Sequence, residues 1–451
     1  MTTARVRRSK VEGEMIAPPS KSYTHRAITI ASLAKRSEIV YPLLAADTEA
    51  SINAARYFGA TVSVEHDGDG REHAKKIIVE GTEGSPDTPE DVINAGNSGT
   101  TLRFFTAVSS LCRGGEAAVI TGDESLRKRP NLPLLKSLID LGCSEAFSTK
   151  GDGTAPIVVK GRLSGGETTI DTFISSQFIS ALLIATPLAA KDSYILAQNL
   201  SSVPYMRMTV EVLKQAGVDI DIDLEASNDY SFHVEGGGSY DLRRFAVPGD
   251  FSSASYPLAA AAITDSKLKV RNLFSSAQGD SRIVELLAEM GVSISWEKEK
   301  GVVEVKGTED TGLKAIKVNM RENPDLVPTI AVLAAVADGT TEITGVAHLR
   351  YKETNRLRSL AEELTKMGVR IKERKDGLLV EGRSKKGLKA VKVYSHDDHR
   401  LAMALTVAAL SVRGRGESER VTVIEGAGCA NISYPSFFTD MRDSGAEIAI
   451  S

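Results

Sequence analysis

The stretch SKSYTHRAITIASLA, Ser20 to Ala34, opens on hydroxyls and two cations and then turns apolar on every side. A surface helix keeps a polar face, whereas a helix apolar all round belongs inside a core. Five more segments share this construction: GNSGTTLRFFTAVSS, SSQFISALLIATPLAA, FSSASYPLAAAAI, NPDLVPTIAVLAAVA and DDHRLAMALTVAAL. With Ser22, Ser98, Ser176, Ser253, Asp325 and Asp398 as anchors, successive intervals are 76, 78, 77, 72 and 73 residues. A period this regular marks a repeat architecture. The Ala-rich faces of these helices let neighbours approach closely.

A second class of segment is amphipathic and ends in glycine: SINAARYFGATV, LLKSLIDLGCSE, TVEVLKQAGVDI, IVELLAEMGVSI, LAEELTKMGVRI and FFTDMRDSGAEI. Gly59, Gly142, Gly217, Gly291, Gly368 and Gly445 stand where a left-handed C-cap ends a helix. Short alternating strands such as VDIDI, VSISW, KLKVRNL and TTEITGV follow the helices. Each unit therefore reads as buried helix, strand, outer helix and paired strands, an α/β fold of six repeated helix–strand units. YDLRRFAVPGD, Tyr240 to Asp250, separates the third unit from the fourth. The first strand, ahead of Pro18, has no place in its own unit and is expected to pair with the C-terminal half. Two globules of three units each are predicted, one from residues 1–20 plus 247–451 and one from residues 21–246. Hinges are expected near residues 18–21 and 244–249.

The 451 residues are 42% hydrophobic, 25% charged and only 5% aromatic, with a formal net charge of −4, which does not suggest a general nucleic-acid-binding surface. No apolar run approaches the ~20 residues that span a bilayer. The basic MTTARVRRSK is not followed by the apolar region of a secretory signal. Cys112, Cys143 and Cys429 are widely spaced, with no CxxC pair, which argues for reduced thiols in a cytoplasmic protein and against a disulfide framework or zinc site.

A helix N-terminus carries unpaired N–H groups and about half a positive charge, so it favours anions. Lys21 and Arg26, Arg103 and Arg129, and Arg356 and Arg400 add cations near these ends, and both side-chain types bind phosphate. Taken singly, each feature has a plainer reading. Ser22, Ser98, Ser176 and Ser253 suit ordinary N-caps, worth about 1 kcal/mol each. NAGNSGT (94–100) suits a tight glycine turn, and LRKRP (126–130) a solvated basic loop. RYKETNRLR (350–358) suits a surface helix start, with Glu353 pairing with nearby basic residues. His396 and His399 in SHDDHRLAM lack a third ligand, and Cys429 suits a packed thiol. Six polar helix entrances in register are harder to explain by capping alone.

With these residues assembled, the chain resembles the 5-enolpyruvylshikimate-3-phosphate synthase (3-phosphoshikimate 1-carboxyvinyltransferase) family over essentially its whole length. The matching motifs are PSKSYTHRA, NAGNSGTTLR, LRKRP, SSQFISALL, SVPY, PGDFSSASY, NPDLVPT, RYKETNRL, DDHRLAMA and CANISYP, in family order and spacing. The resemblance implies the enolpyruvyl transferase fold, a two-domain inside-out α/β barrel whose inner helices point at a cleft that closes on substrate. It implies transfer of the enolpyruvyl group of phosphoenolpyruvate to the 5-hydroxyl of shikimate 3-phosphate, with phosphate released. This is a step of the shikimate pathway toward chorismate and the aromatic amino acids. No metal or organic cofactor is implied, and the expected partners are the two small-molecule substrates, not nucleic acid or membrane, with the chain a monomer.

By the same resemblance, Lys21, Asn97, Gly99, Arg129, Gln177, Arg356 and Arg400 bind phosphoenolpyruvate. Ser22, Arg26, Ser175, Ser176, Gln177, Ser202, Tyr205, Asp325, His348 and Lys352 hold shikimate 3-phosphate. Asp325 is assigned to the 5-hydroxyl proton, Glu353 to the C3 proton and Lys21 to the leaving phosphate. Carboxylates amid cations stay ionised, so a donor among them must first gain its proton from substrate or a neighbour. Three positions depart from the family pattern. Ile432 stands where many members have a phosphoenolpyruvate-binding lysine, His348 where some have asparagine, and Phe104 where proline is common.

Two rivals remain beside this reading. The sister enzyme that acts on UDP-N-acetylglucosamine shares the architecture, but its early Lys-Asn pair is absent, since Ser22 follows Lys21. Its mobile-loop cysteine also has no counterpart, because Cys112 falls in or just after an apolar helix. A nonenzymatic RNA-binding protein of similar repeat build is disfavoured by the net charge and the scarcity of aromatics.

Overall fold

The computed structural model describes residues 2–66, 74–227, 229–307, 312–383, 386–412 and 421–451. Among them, α-helices come in pairs, an apolar helix followed by an amphipathic one. In chain order the pairs are α1 (Lys21–Leu33) with α2 (Ala46–Tyr57), α3 (Gly99–Ser109) with α4 (Leu132–Asp140), and α5 (Gln177–Ala185) with α6 (Val203–Gln215). They continue with α7 (Phe251–Ile263) and α8 (Ile283–Glu289), α9 (Val327–Val336) and α10 (Arg356–Lys366), and α11 (His399–Leu410) and α12 (Phe437–Asp443). Every residue of α7 and α11 is buried, and so is nearly all of α1, α3, α5 and α9. Hydroxyls inside these helices bond back to the preceding turn, as Thr106 does to the Leu102 carbonyl at 2.6 Å and Thr406 to Ala402 at 2.8 Å. A hydroxyl satisfied within its own helix can be buried at little cost.

The described strands form six four-stranded sheets. Each has one parallel pair at an edge followed by antiparallel neighbours, as in 166–171, 193–198, 230–234 and 221–224. Three sheets borrow strands from elsewhere in the chain. Arg244–Ala246 lies parallel to Arg36–Val40 and completes the first sheet, so the segment read as a separator is itself structural. Gly13–Ile16 takes the equivalent edge of the fourth sheet beside Lys267–Arg271. Thr3–Arg7 sits inside the sixth, between Val421–Glu425 and Ile448–Ile450. The N-terminal strands thus join the C-terminal half, as expected for a segment with no place in the first unit. By contacts, the chain divides into one compact unit of residues 19–248 and another of residues 1–18 and 249–451.

All six glycines that follow the amphipathic helices have positive φ, from 86° to 103°. The N-cap reading needs correction at three helices. Ser20, not Ser22, occupies the N-cap of α1, and Ser22 lies within its first turn. Asp250 caps α7 by accepting the Ser253 N–H at 2.7 Å, so Ser253 is the capped residue. Ser176 occupies the N-cap position of α5 without a side-chain capping bond. Ser98 is a side-chain cap, accepting the Thr101 N–H at 3.2 Å. The reason is register: a cap must precede the helical dihedrals, and α1 and α7 begin before the serines.

The glycine caps supply a test. At Gly217 an added Cβ meets nothing within 4 Å, whereas at Gly142 it falls 3.0 Å from the Cβ of Ser164 and nearer still to its hydroxyl. Gly217→Ala should cost about 1 kcal/mol, the price of a left-handed non-glycine residue, and Gly142→Ala distinctly more. Urea denaturation of both variants checks the order; equal losses would mean that only the backbone dihedral matters at Gly142.

Candidate active site

Each unit gathers polar side chains at the N-terminal ends of its buried helices. In the 19–248 unit the ends of α1, α3 and α5 are linked by direct bonds. Lys21, the first residue of α1, pairs with Asp47 of α2 at 2.8 Å. Thr101 of α3 donates to Ser98 Oγ at 2.8 Å and lies 3.4 Å from the Asp47 carbonyl. Gln177, the first residue of α5, donates to Thr100 Oγ1 at 2.9 Å and accepts from Arg103 at 2.6 Å. Arg103 also reaches Ser175 Oγ and Asn131 Oδ1 and stacks over the Phe178 ring. Arg129 donates to Asn97 Oδ1 at 2.8 Å. Gly99 sits among these groups, where a Cβ would lie 3.2 Å from an Arg129 nitrogen and 3.4 Å from an Arg103 nitrogen. The missing side chain is what lets the two guanidiniums crowd the first turn of α3.

A second cluster in this unit surrounds Arg26, which is fully buried. Its guanidinium donates to Thr209 Oγ1 (2.8 Å), the Ser22 carbonyl (2.8 Å), the Tyr205 carbonyl (2.7 Å) and Ser180 Oγ (3.4 Å), and it lies over the ring of Phe104. Burial lowers its pKa to about 10, so it remains charged at neutral pH, and none of the four groups it bonds is charged. Phe104, at the position where the family often has proline, is thus part of the cation's wall. Ser202 stands at the left-handed N-cap of α6, one turn before Tyr205. Ser175 and Ser176 are buried at the start of α5.

His25 is buried and kept neutral, first by desolvation and then by the charges of Lys21 and Arg26. Its Nδ1 contacts Ser51 Oγ at 2.8 Å, and Ser51 contacts Thr101 Oγ1 at 2.7 Å. The ring therefore ties three helices together behind the polar end.

In the other unit the organising group is Arg356, whose side chain is only 2% exposed. It donates to both oxygens of Asp398 (2.7 and 3.4 Å), to Asp325 (3.0 Å) and to Glu353 (2.5 Å). Arg400 takes the other Asp325 oxygen at 2.5 Å, and its backbone N–H bonds Asp398 Oδ1 at 2.9 Å. Asp398 is the N-cap of α11, while Asp325 lies in a single helical turn ahead of α9 and is not a cap. Burial opposes ionisation of Asp325, but Arg400, Arg356 and Lys352 outweigh it and hold the carboxyl far below the usual range. Burial would also discharge Arg356, yet Asp398, Glu353 and Asp325 together keep it firmly protonated. His348 is buried, and its pKa falls to about 3, through desolvation first and then the charge of Lys352. The neutral ring leaves its buried Nε2 with no hydrogen-bond partner in the described structure. Ile432 is half-buried in the turn Ala427–Ile432 and brings no charge.

The structure also contributes residues that the sequence pattern left outside the site. Arg103 was legible as a cation at a helix entrance, but not its grip on Gln177. Asp47 and Asp280 lie outside every sequence motif named above. Asp280 is buried, accepts the Ser252 hydroxyl at 2.5 Å, and has its pKa raised to about 7 by desolvation and then by Asp325. Among the described residues one carboxylate–histidine group has metal-ligand spacing, Glu362, Glu363 and His396, and Lys366 already pairs with Glu363 in it.

Among the described residues, six sheets, six buried helices and cations at several helix ends are the architecture of the enolpyruvyl transferase fold. The sequence signature of EPSP synthase (3-phosphoshikimate 1-carboxyvinyltransferase) matches residues 6–441, and the chain belongs to this family. A protein of Methanocella arvoryzae named 3-phosphoshikimate 1-carboxyvinyltransferase is 48% identical over 448 residues, 99% of this chain and 100% of that one. A namesake from Methanococcoides burtonii is 49% identical over 447 residues, 99% of each chain. The solved EPSP synthase of Acinetobacter baumannii superposes with a TM-score of 0.80 at 27% identity, covering 100% of both chains. Among the described residues no helix is long and apolar enough to cross a membrane.

The protonation of Asp280 can be tested. Its folded pKa lies above the carboxylate's ordinary 3.8, so between about pH 4 and 7 the folded chain keeps a proton that the unfolded chain has lost. Stability from this group therefore falls as pH rises through that window. Asp280→Asn should gain stability relative to the unmodified protein between pH 5 and pH 8, as read by thermal melts. A constant difference across that range would mean that Asp280 is ionised throughout.

Proposed function

We infer that the chain transfers the enolpyruvyl group of phosphoenolpyruvate to the 5-hydroxyl of shikimate 3-phosphate by addition and elimination, releasing phosphate and leaving an enolpyruvyl ether. Family membership gives the reaction. The observation that best supports the roles within the site is that Asp325 and Glu353 are held by the same buried guanidinium, Arg356. Two carboxylates fixed on one cation suit a reaction that moves two protons close together, one at the hydroxyl oxygen of one anionic substrate and one at C3 of the other.

On this reading the ionised Asp325 accepts the 5-hydroxyl proton as its oxygen adds to C2 of phosphoenolpyruvate. Glu353, once it has taken up a proton from substrate or a neighbouring group, delivers it to C3 and takes one back when the intermediate collapses. Lys21 protonates the departing phosphate, and the proton left on Asp325 is returned through solvent to restore Lys21. Lys21, Asn97, Gly99, Arg129 and Gln177 are assigned to phosphoenolpyruvate, as are Arg356 and Arg400. Ser22, Arg26, Ser175, Ser176, Gln177, Ser202 and Tyr205, together with Asp325, His348 and Lys352, are assigned to shikimate 3-phosphate. Arg26 supports this assignment: a buried cation bonded only to uncharged groups retains its attraction for an anion. Cytoplasmic location and a monomeric state fit three free cysteines and a small-molecule reaction.

The sister reaction on UDP-N-acetylglucosamine is disfavoured because Cys112 is buried just past α3, and burial pushes its thiol up to about 12. A thiol so protonated is a poor acid–base group at neutral pH.

Purified protein should release inorganic phosphate only when both shikimate 3-phosphate and phosphoenolpyruvate are present. Folded protein that releases none across pH and salt would refute the assignment. Glu353→Gln should lower turnover about 10²–10⁴-fold, the usual worth of a general acid–base group, while shikimate 3-phosphate binding measured by calorimetry changes little. Equal loss of both would reassign Glu353 to binding.

A further inference from the structure

The turn that leads into α11 is held in an unfavourable conformation. His396 and Asp397 are consecutive non-glycine residues with φ of 53° and 55°. Each left-handed residue of this kind persists only when its surroundings over-determine it. Directly after them come Asp398, which caps α11 and binds Arg356, and Arg400, which binds Asp325.

Ser395 holds part of the turn, its hydroxyl accepting the Asp397 N–H at 3.2 Å and donating to the Gly426 carbonyl at 3.0 Å, and a carboxylate from another helix holds the rest. Glu363, on α10, has a side chain only 1% exposed and reaches across to both sides of the turn. Its Oε2 accepts the Tyr394 N–H at 3.0 Å, where the strand Lys392–Tyr394 ends. Its Oε1 contacts His396 Nε2 at 2.8 Å, and Lys366 donates to both oxygens at 2.7 and 2.8 Å. Burial works against the charge, but the bonds from His396, Lys366 and the Tyr394 N–H prevail and keep the carboxyl below its ordinary range. An ionised carboxylate only accepts, so His396 Nε2 carries the hydrogen. Tyr394 in turn donates its hydroxyl to Asp397 at 2.8 Å.

We propose that Glu363 is a positioning residue, whose buried carboxylate clamps the turn Tyr394–Asp397 in its left-handed conformation and so sets where Asp398 and Arg400 stand at the first turn of α11. Glu363 lies about two turns along α10 from Arg356, and its hydrogen bonds go to Lys366, Tyr394 and His396, not to Arg400 or Asp325. The consequence drawn for substrate rests on the reading of Arg400 as a phosphoenolpyruvate ligand.

Steady-state kinetics on the full chain test this with four variants. Glu363→Gln keeps the shape of the side chain but loses its charge, and should raise KM for phosphoenolpyruvate about tenfold, equivalent to ~1.4 kcal/mol. Its kcat and its KM for shikimate 3-phosphate should stay within about twofold. His396→Gly, which adopts positive φ without strain, should stay within about twofold on all three. Glu363→Gln combined with His396→Gly should recover most of the loss in KM for phosphoenolpyruvate. If the Glu363–His396 contact is merely a structural bond, His396→Gly will be as damaging as Glu363→Gln and the pair will show no recovery. Either result, or a change in kcat alone, overturns the proposal. Arg400→Lys separates this from the underlying reading. A raised KM for phosphoenolpyruvate in Arg400→Lys beside an unaffected Glu363→Gln removes Glu363 and leaves Arg400 in place. An unchanged KM in Arg400→Lys removes both.

Discussion

A helix buried on all sides can meet a ligand only at its end. This constraint organises the whole chain. Each apolar helix must be covered along its length, which the sheets and the amphipathic helices accomplish. Its N-terminal turns are then where polar side chains and unpaired N–H groups gather. Hydroxyls farther along, such as Thr106 and Thr406, are absorbed by carbonyls of their own helices and present nothing outward. Chemistry therefore concentrates at the N-termini, and it does so in both units for the same reason.

The two units neutralise their cations differently. Around Arg356 and Arg400, three carboxylates share two guanidiniums. The cations hold Asp325 down, while burial, and behind it the Glu353 charge, raises Asp398 against the pull of Arg356. Such a network costs desolvation, yet it holds Asp325 as a carboxylate and Arg356 as a cation in a dry setting. Arg26 is instead held by hydroxyls, carbonyls and a ring face. A balanced network suits proton movement, and a cation among neutral groups suits anion capture.

Much of this was legible in the sequence because it depends on periodicity. The repeat follows from apolar runs at near-constant spacing, and the left-handed glycines follow from their position after amphipathic segments. The paired cations at helix entrances were visible as residue types. The cap register was not, since one turn more or less of helix changes no composition. That is why Ser22 and Ser253 read as caps while Ser20 and Asp250 hold those positions. Nor did Arg244–Ala246 look like part of the first sheet, because its partner strand lies some two hundred residues earlier.

By itself, the sequence determined which segments are buried helices, where their polar ends fall and which family the motifs resemble. All of these depend on local pattern. Only the tertiary structure decided which charges meet. Arg356 could have paired with neighbouring Glu353 alone, but folding also brings it Asp325, 31 residues earlier, and Asp398, 42 residues later. Asp280 became a proton-holding carboxyl, and Glu363 the clamp of a distant turn, for the same reason. A side chain's electrostatic character depends on burial and on the neighbours the fold supplies, and neither is a property of the residues beside it in the chain.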